Sequence, residues 1–228
     1  NLKKTFLAII PARGESKRLP QKNLLDLCGK PLIAWSIEAG LKSKYIDNLA
    51  VSSDDDKILD IADEYNVRAI KRPKKLANDT ATTFDVIKHT IDKLETYDYI
   101  VLLQPTSPLR NCKHIDESIN LLEQKNADAV ISVCEMEHSP LWSNTLDKDG
   151  IMDNFLRDAV INKRSQDLEK YYRLNGAIYI CRTDKLLKQN SFFLKQNTYA
   201  YIMNRESSVD IDYEIDLKFA NFLASRSL

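Results

Sequence analysis

Along the first half of the chain, short continuous apolar runs alternate with stretches in which apolar residues return every three or four positions. The runs at 5–11, 48–53, 67–70, 99–104 and 129–134 have the composition of strands buried on both faces, as in a mainly parallel sheet. Between them, Ile33, Ile37 and Leu41 mark one helical stripe and Ile58, Ile61 and Tyr65 a second. Phe84, Ile87, Ile91 and Leu94 mark a third, and Ile115, Ile119 and Leu122 a fourth. Strands alternating with one-sided helices predict a layered α/β domain in which helices cover the sheet.

The alternation lapses over 138–174, where charge is dense and Trp142, Ile151, Phe155 and Leu156 keep neither period, so this stretch reads as an insertion. The pattern resumes with a strand at 175–181, a short helix at 183–189, a strand at 199–203 and a closing helix over 213–223. There is no internal repeat or low-complexity linker, and 228 residues suffice for one domain with a substantial core.

Charge matters here for what it excludes. Lys and Arg total 33 and Asp and Glu total 33, so no overall field draws the protein to nucleic acid or to an anionic membrane surface. No run has the apolar length that a bilayer demands. Cys28, Cys112, Cys134 and Cys181 lie far apart with no C-x-x-C pair, and the N-terminal lysines run straight into a strand, which predicts a soluble cytoplasmic protein with reduced thiols. His89, His114 and His138 share no metal-ligand spacing and form no nucleophilic constellation, and are expected to be ordinary surface residues.

Any anion site must therefore be local, and the loop after the first strand supplies one. Arg13, Lys17, Arg18 and Lys22 surround Gly14 there, with Pro11 and Pro20 constraining the path. Ligands of open α/β sheets collect beyond the carboxyl ends of strands, and four cations on such a loop suit a polyphosphate. The loop is neither a P-loop nor a dinucleotide fingerprint, so side-chain cations rather than a glycine cradle would hold the phosphates.

Three further clusters carry candidate chemistry. Asp210 and Asp212 flank Ile211; if this stretch is extended, the period of two turns both carboxylates to one face and Val209 and Ile211 to the core, giving the hard oxygen donors that Mg2+ takes beside a triphosphate. The same residues allow Asp212 to cap the closing helix, with Glu214 in its first turn. The turn at 103–110, with two prolines and two hydroxyls, holds Gln104 rigidly at the end of the strand expected at the centre of the sheet, where its amide suits sugar hydroxyls or a carboxylate. Arg72 follows another strand end and can bond a base carbonyl, while Thr80, Thr82 and Thr83 are candidates to cap the helix before Phe84, Thr83 foremost. Trp35 and Phe84 are expected in packing.

Four motifs then stand together in order and spacing: Ile-Pro-Ala-Arg-x-x-Ser-Lys-x-x-x-x-Lys-Asn at 10–23, Gln-Pro-Thr-Ser-Pro-Leu-Arg at 104–110, Asn-Gly-Ala-Ile-Tyr-Ile at 175–180 and Ser-Val-Asp-Ile-Asp at 208–212. In these the chain resembles the acylneuraminate cytidylyltransferases, the CMP-sialic acid synthetases, over essentially its whole length. The resemblance implies a nucleotide-diphospho-sugar transferase-like three-layer α/β sandwich, with 138–174 an inserted dimerisation segment that exchanges contacts with a second subunit. It implies that Arg13, Ser16, Lys17, Lys22 and Asn23 hold the CTP phosphates and ribose, that Arg72 and Thr82 read cytosine, and that Asp210 and Asp212 bind Mg2+. Gln104, Asn175, Gly176, Tyr179, Phe192 and Phe193 would line the sugar pocket, with Arg164 supplied by the partner. The chain departs from the family's commonest loop at Glu15, where glycine is more frequent, and at Thr82, where serine often stands.

The implied reaction transfers CMP from CTP to the anomeric hydroxyl of a nine-carbon sugar acid, N-acetylneuraminate foremost. Arg13 and Lys22 meet the developing charge and Asp212 takes the proton. Legionaminic and pseudaminic acid remain alternatives, as does GTP in place of CTP; the motifs at 175–180 and 208–212 argue against Kdo. A CTP-binding module without activity is the reading from outside enzymology.

Overall fold

The computed structural model describes residues 3–78 and 81–226. Among these, strands form at β1 (Phe6–Pro11), β2 (Asp26–Leu27), β3 (Lys30–Pro31), β4 (Asn48–Ser53), β5 (Arg68–Lys71), β6 (Tyr99–Leu103), β7 (Ala129–Glu135), β8 (Tyr172–Arg182) and β9 (Thr198–Met203). All but the β2–β3 hairpin join one sheet in the order β5-β4-β1-β6-β8-β7-β9, with β6 at its centre as expected. Neighbours pair in parallel except around β8, which runs antiparallel to both β6 and β7. The amino end of β8 therefore lies at the same sheet edge as the carboxyl ends of the other six strands. That edge gathers the segments after β1, β5, β6 and β9 together with the start of β8.

Helices are α1 (Leu32–Lys42), α2 (Asp56–Glu64), α3 (Thr83–Ile91), α4 (Cys112–Gln124), α5 (Thr183–Gln189) and α6 (Glu214–Ser225). The alternation of β1 divides its side chains between two cores. Phe6, Ala8 and Ile10 pack with Ile33, Ile37, Ile58 and Ile119 from α1, α2 and α4, while Leu7 and Ile9 pack with Ile87, Leu186 and Phe192 on the α3 and α5 side. Each such fully buried aliphatic side chain contributes about 1.5–3 kcal/mol by leaving water. A third, smaller core joins Leu27, Leu32, Val209, Ile211 and Ala220, seating α6 against the hairpin.

Several local expectations are corrected. Leu41 is 50% exposed, because Ala39 and Gly40 take the buried face of the last turn of α1 and Leu41 falls beside it. Thr82, not Thr83, caps α3: its backbone is extended and its Oγ1 accepts from Asp85 N at 3.1 Å, whereas Thr83 is already helical. Thr80 lies outside the described residues. His114 is no idle surface residue, since its Nδ1 accepts from Asn111 N at 3.1 Å in the capping box of α4.

The strand expected from 175 begins at Tyr172, where its first residues pair with the end of β7 beyond a shift between Ile131 and Val133. The rest of the expected insertion consists of turns and short 3-10 segments at Pro140–Trp142, Asp158–Val160 and Ser165–Asp167. Leu146, Ile151, Met152 and Ile161 are each more than half exposed there, so this stretch builds almost no core of its own. All four cysteines are free, Cys134 and Cys181 being buried. Among the described residues no helix is long and apolar enough to cross a membrane.

Candidate active site

The loop after β1 is tied down from both sides. Gly14 N donates to Asp54 Oδ1 at 3.0 Å, and a Cβ on Gly14 would lie 2.7 Å from the Cβ of Asp55, so only glycine lets the loop close against the end of β4. At its far end Gln21 adopts a left-handed backbone and a single 3-10 turn, Lys22–Leu24, carries buried Asn23 back under the loop, where Nδ2 donates to Arg13 O at 3.1 Å. These anchors leave Arg13, Ser16 and Lys22 along a cleft of about 320 Å³ beyond the carboxyl ends of β1, β5 and β6.

Of the residues expected to hold CTP, Arg13, Ser16, Lys22, Asn23, Arg72 and Thr82 line this one cleft, with Gln104 and Thr106 opposite; Lys17 is exposed and does not line it. Two buried atoms of its wall residues, Asn23 Oδ1 and Arg72 Nε, have no hydrogen-bond partner among the described residues, as a site awaiting a polar ligand would have. Arg72 is only 5% exposed and spends Nη1 on Leu76 O at 3.2 Å and Nη2 on Ser52 O at 3.3 Å. Burial lowers its pKa, nearby Arg13 adds to this, and Asp54 opposes it. The Thr82 hydroxyl is shared with Asp85, donating to Oδ2 at 2.8 Å.

The 208–212 stretch is stitched to the cleft by two residues. Lys22 Nζ donates to Ile211 O at 2.8 Å and to Asp212 Oδ1 at 3.4 Å. Thr106 accepts Ile211 N at 2.8 Å through its carbonyl, and its side chain hydrogen-bonds Asp210. Val209 and Ile211 are buried in the third core, so Asp210 and Asp212 share the opposite face, and both line a cavity of about 820 Å³. Asp212 does not cap α6: Tyr213 is the N-cap residue, and Asp216 Oδ2 takes the amides of both Asp212 and Tyr213, at 3.0 and 2.8 Å.

Loss of surrounding water raises the pKa of Asp210 above the ordinary carboxylate range; the charges of Asp212 and Asp216 add to this, while Thr106 and Lys22 oppose it. Two carboxylates on one face, one of them destabilised as an anion, fit a divalent cation. Among the described residues no three or more His, Cys, Asp or Glu side chains are placed to hold a metal ion together, so water and phosphate oxygens would complete the octahedron.

The residues expected around the sugar are less uniform. Gln104 lines the cleft, and its carbonyl accepts from Arg110 Nη2 at 3.0 Å and Ser107 N at 3.1 Å. Tyr179 makes edge contacts with Phe192 and Phe193, at 5.9 and 6.0 Å between centroids, and its hydroxyl pKa is raised by burial and by the charge of Asp210. Phe193 is 53% exposed whereas Phe192 belongs to the core.

Asn175 requires correction as a pocket group, because its amide is consumed inside the protein. Its Oδ1 accepts from Ser132 Oγ at 2.6 Å and Ala177 N at 3.2 Å, and its Nδ2 donates to Ser208 Oγ at 3.0 Å, so it joins β7, β8 and the start of the 208–212 stretch. Gly176 has φ 70, and a Cβ there would meet only Ser107 Oγ at 3.9 Å, so backbone conformation rather than space calls for glycine. Arg164 is exposed on the insertion and lines neither cavity of this single chain.

Sequence reasoning passed over three supporting residues. Asp54 and Thr106 hold the loop and the acidic stretch; the acidic run after β4 was the available signal for Asp54. Arg110 is 1% exposed and donates from Nε to Ala177 O at 3.2 Å and from Nη2 to Ser36 Oγ at 3.1 Å, fastening the turn to β8 and α1.

The chain is similar to several known proteins. The chain is 38% identical to an N-acylneuraminate cytidylyltransferase of Streptococcus agalactiae over 212 residues, 92% of this chain and 51% of that protein. It is 34% identical to a pseudaminic acid cytidylyltransferase of Campylobacter jejuni over 222 residues, 95% of each. It therefore spans about half the length of the N-acylneuraminate enzyme and 95% of the pseudaminic one. A CMP:2-keto-3-deoxy-manno-octonic acid synthetase solved in complex with CTP superposes with a TM-score of 0.75 over 98% of this chain and 100% of that one, at 19% identity, so the nucleotide-diphospho-sugar transferase-like fold is the one observed. The cytidylyltransferase family matches residues 7–225, a span that takes in the cationic loop, the Gln104 turn and the acidic pair, and the chain belongs to that family.

Proposed function

We propose that this chain transfers CMP from CTP to the anomeric hydroxyl of a sialic-acid-type nine-carbon sugar acid, N-acetylneuraminate foremost, with release of pyrophosphate. The reading rests on one observation: the cationic cleft and the acidic pair are physically joined, Lys22 reaching Asp212 and Thr106 reaching Asp210. The names of the relatives support the same activity.

In this reading the triphosphate lies along Arg13, Ser16 and Lys22 with the base toward Arg72 and Thr82. The sugar acid rests against Gln104, Gly176, Tyr179 and Phe193. The anomeric oxygen attacks the α-phosphorus, the bond from that phosphorus to the bridging oxygen breaks, and pyrophosphate departs with its charge met by Arg13 and Lys22. Asp212 accepts the hydroxyl proton. Asp210 and Asp212 would hold Mg2+, which would supply further charge neutralisation to the phosphates. Each cation aimed at the leaving group contributes about 2–4 kcal/mol to lowering the barrier, by analogy with a single oxyanion-hole donor.

The same proposal assigns 138–174 to a homodimer contact: its exposed apolar residues have no core of their own, and Arg164 reaches a sugar site only if the segment crosses to a second copy. The site of action is the cytoplasm, where free thiols persist.

The test is pyrophosphate release with Mg2+, crossing CTP and GTP against N-acetylneuraminic, legionaminic, pseudaminic and Kdo acids. Release with CTP and a nine-carbon acid is expected and identifies the sugar. Release only with GTP or only with Kdo overturns the assignment, and silence across the panel while CTP still binds leaves a nucleotide-binding module instead. Sizing by light scattering, with and without a deletion in 138–174, tests the dimer.

A further inference from the structure

A groove of about 790 Å³ lies between α1, the start of α4 and the end of α6, and shares no lining residue with the nucleotide cleft. Its wall holds five cationic side chains, Lys30, Lys42, Arg110, Lys113 and Arg226, against two carboxylates, Glu38 and Glu206. Lys30 at 2.5 Å and Lys42 at 3.7 Å share Glu38, and Lys113 pairs with Glu117 at 3.8 Å, so that the wall keeps a surplus of positive charge through the shared lysines, Arg110 and Arg226.

Arg110 is the unusual member. It is 1% exposed, its hydrogen-bond acceptors are the neutral Ala177 O, Ser36 Oγ and Gln104 O, and among the described residues no carboxylate lies within ion-pair distance. Its Nη1 is buried with no hydrogen-bond partner among the described residues. A buried cation that meets only neutral dipoles is costly, and an anion in the groove that Arg110 helps to line would supply a counter-charge. Burial without an opposing carboxylate pushes this guanidinium down to about 9, which agrees with that deficit. Trp35, Leu109 and Leu223 supply apolar and aromatic surface beside the cations, suited to the body of an organic anion rather than to a bare ion.

We propose that this groove binds a small organic phosphate or carboxylate with an apolar or aromatic body, Arg110 serving as its buried counter-charge. Occupancy would reach the cleft through one connection, because the same guanidinium holds the carbonyl of Gln104 at 3.0 Å. Arg110 is then a positioning residue, and the ligand alters how firmly Gln104 is presented. The binding claim is independent of the proposed reaction; only the effect on the sugar acid rests on it.

The experiment uses the full chain carrying Trp142→Phe, so that Trp35 is the fluorescent reporter, with CTP and Mg2+ in excess to fill the cleft. AMP, pyrophosphate and citrate are titrated separately. A saturable change in Trp35 emission with AMP is expected, with citrate or pyrophosphate following only if the apolar wall is dispensable. Lys42→Ala combined with Lys113→Ala should weaken that binding about tenfold while leaving the melting temperature and basal turnover unchanged. AMP should shift KM for the sugar acid more than kcat in the parent and not in the double variant. No saturable response to any probe at millimolar concentration, or equal binding by the double variant, overturns the proposal.

Discussion

Replacing Lys22 with methionine separates two tasks that one amine performs. In the folded protein Nζ donates to the Ile211 carbonyl at 2.8 Å, a charge-assisted bond worth about 1.5–3 kcal/mol, and methionine preserves the apolar stem while leaving that carbonyl without its partner. The contact with Asp212 at 3.4 Å adds at most about 1 kcal/mol, because the Asp212 side chain is 45% exposed and screened by water. The sum is about 2–4 kcal/mol, which for a domain of this length lowers Tm by about 4–15 °C in a thermal melt followed by circular dichroism. If the same amine also faces the departing pyrophosphate, turnover in a pyrophosphate-release assay falls by a further about 30- to 1000-fold at temperatures where the variant is folded. The two readouts fail independently. A depressed Tm with turnover within about threefold of the parent makes Lys22 a strut and removes it from the chemistry. An unchanged Tm refutes the contact with Ile211 as a stabilising one.

Four other perturbations follow from the same geometry. Asp210 has its pKa raised in the folded state, so its ionised form opposes folding; Asp210→Asn should raise Tm at neutral pH, and the gain should vanish as pH falls below the ordinary value of 3.8, which melts across acid and neutral pH will read. Mg2+ should stabilise the parent and not this variant, and an equal Mg2+ shift in both would remove Asp210 from the metal site. Asn175→Ala deletes bonds to Ser132, Ala177 and Ser208 at a buried position and should cost about 3–5 kcal/mol in urea unfolding, a cost far below about 1 kcal/mol contradicting its role as a strut. Thr82→Ala removes the α3 cap and should cost about 1 kcal/mol by the same measurement. Gly14→Ala forces a Cβ against Asp55 and should displace the loop, raising KM for CTP with a loss of about 1–3 kcal/mol in stability; wild-type KM would show that the loop need not sit where Asp54 holds it.

The candidate site was legible to the extent that its chemistry is local. Arg13, Ser16, Lys22 and Asn23 lie on one loop, and the position of a loop after a strand is enough to bring them to one sheet edge. The alternation of Val209, Asp210, Ile211 and Asp212 likewise sorted core from ligand face, because the period of two acts residue by residue. Asn175 misled because its neighbours come from β7 and from the segment after β9, and no local pattern announces that a strand asparagine will be saturated by Ser132 and Ser208. The helix caps erred by one residue, since which threonine faces the first free amides depends on where the preceding backbone turns.

Hydrophobic periodicity along the chain was sufficient to establish the layered α/β class and the lapse that marks the stretch now seen to lack a core. Those features follow from spacing alone, because the burial of a face requires a repeat that matches the element's own geometry. What spacing could not decide was pairing between distant segments: the reversal of β8, the Lys22 and Thr106 stitches that make one site of two motifs, and the burial of Arg110 without a counter-ion. Each of these is a contact whose partners are separated by many tens of residues, and its energy depends on distance and desolvation that exist only once the sheet has closed.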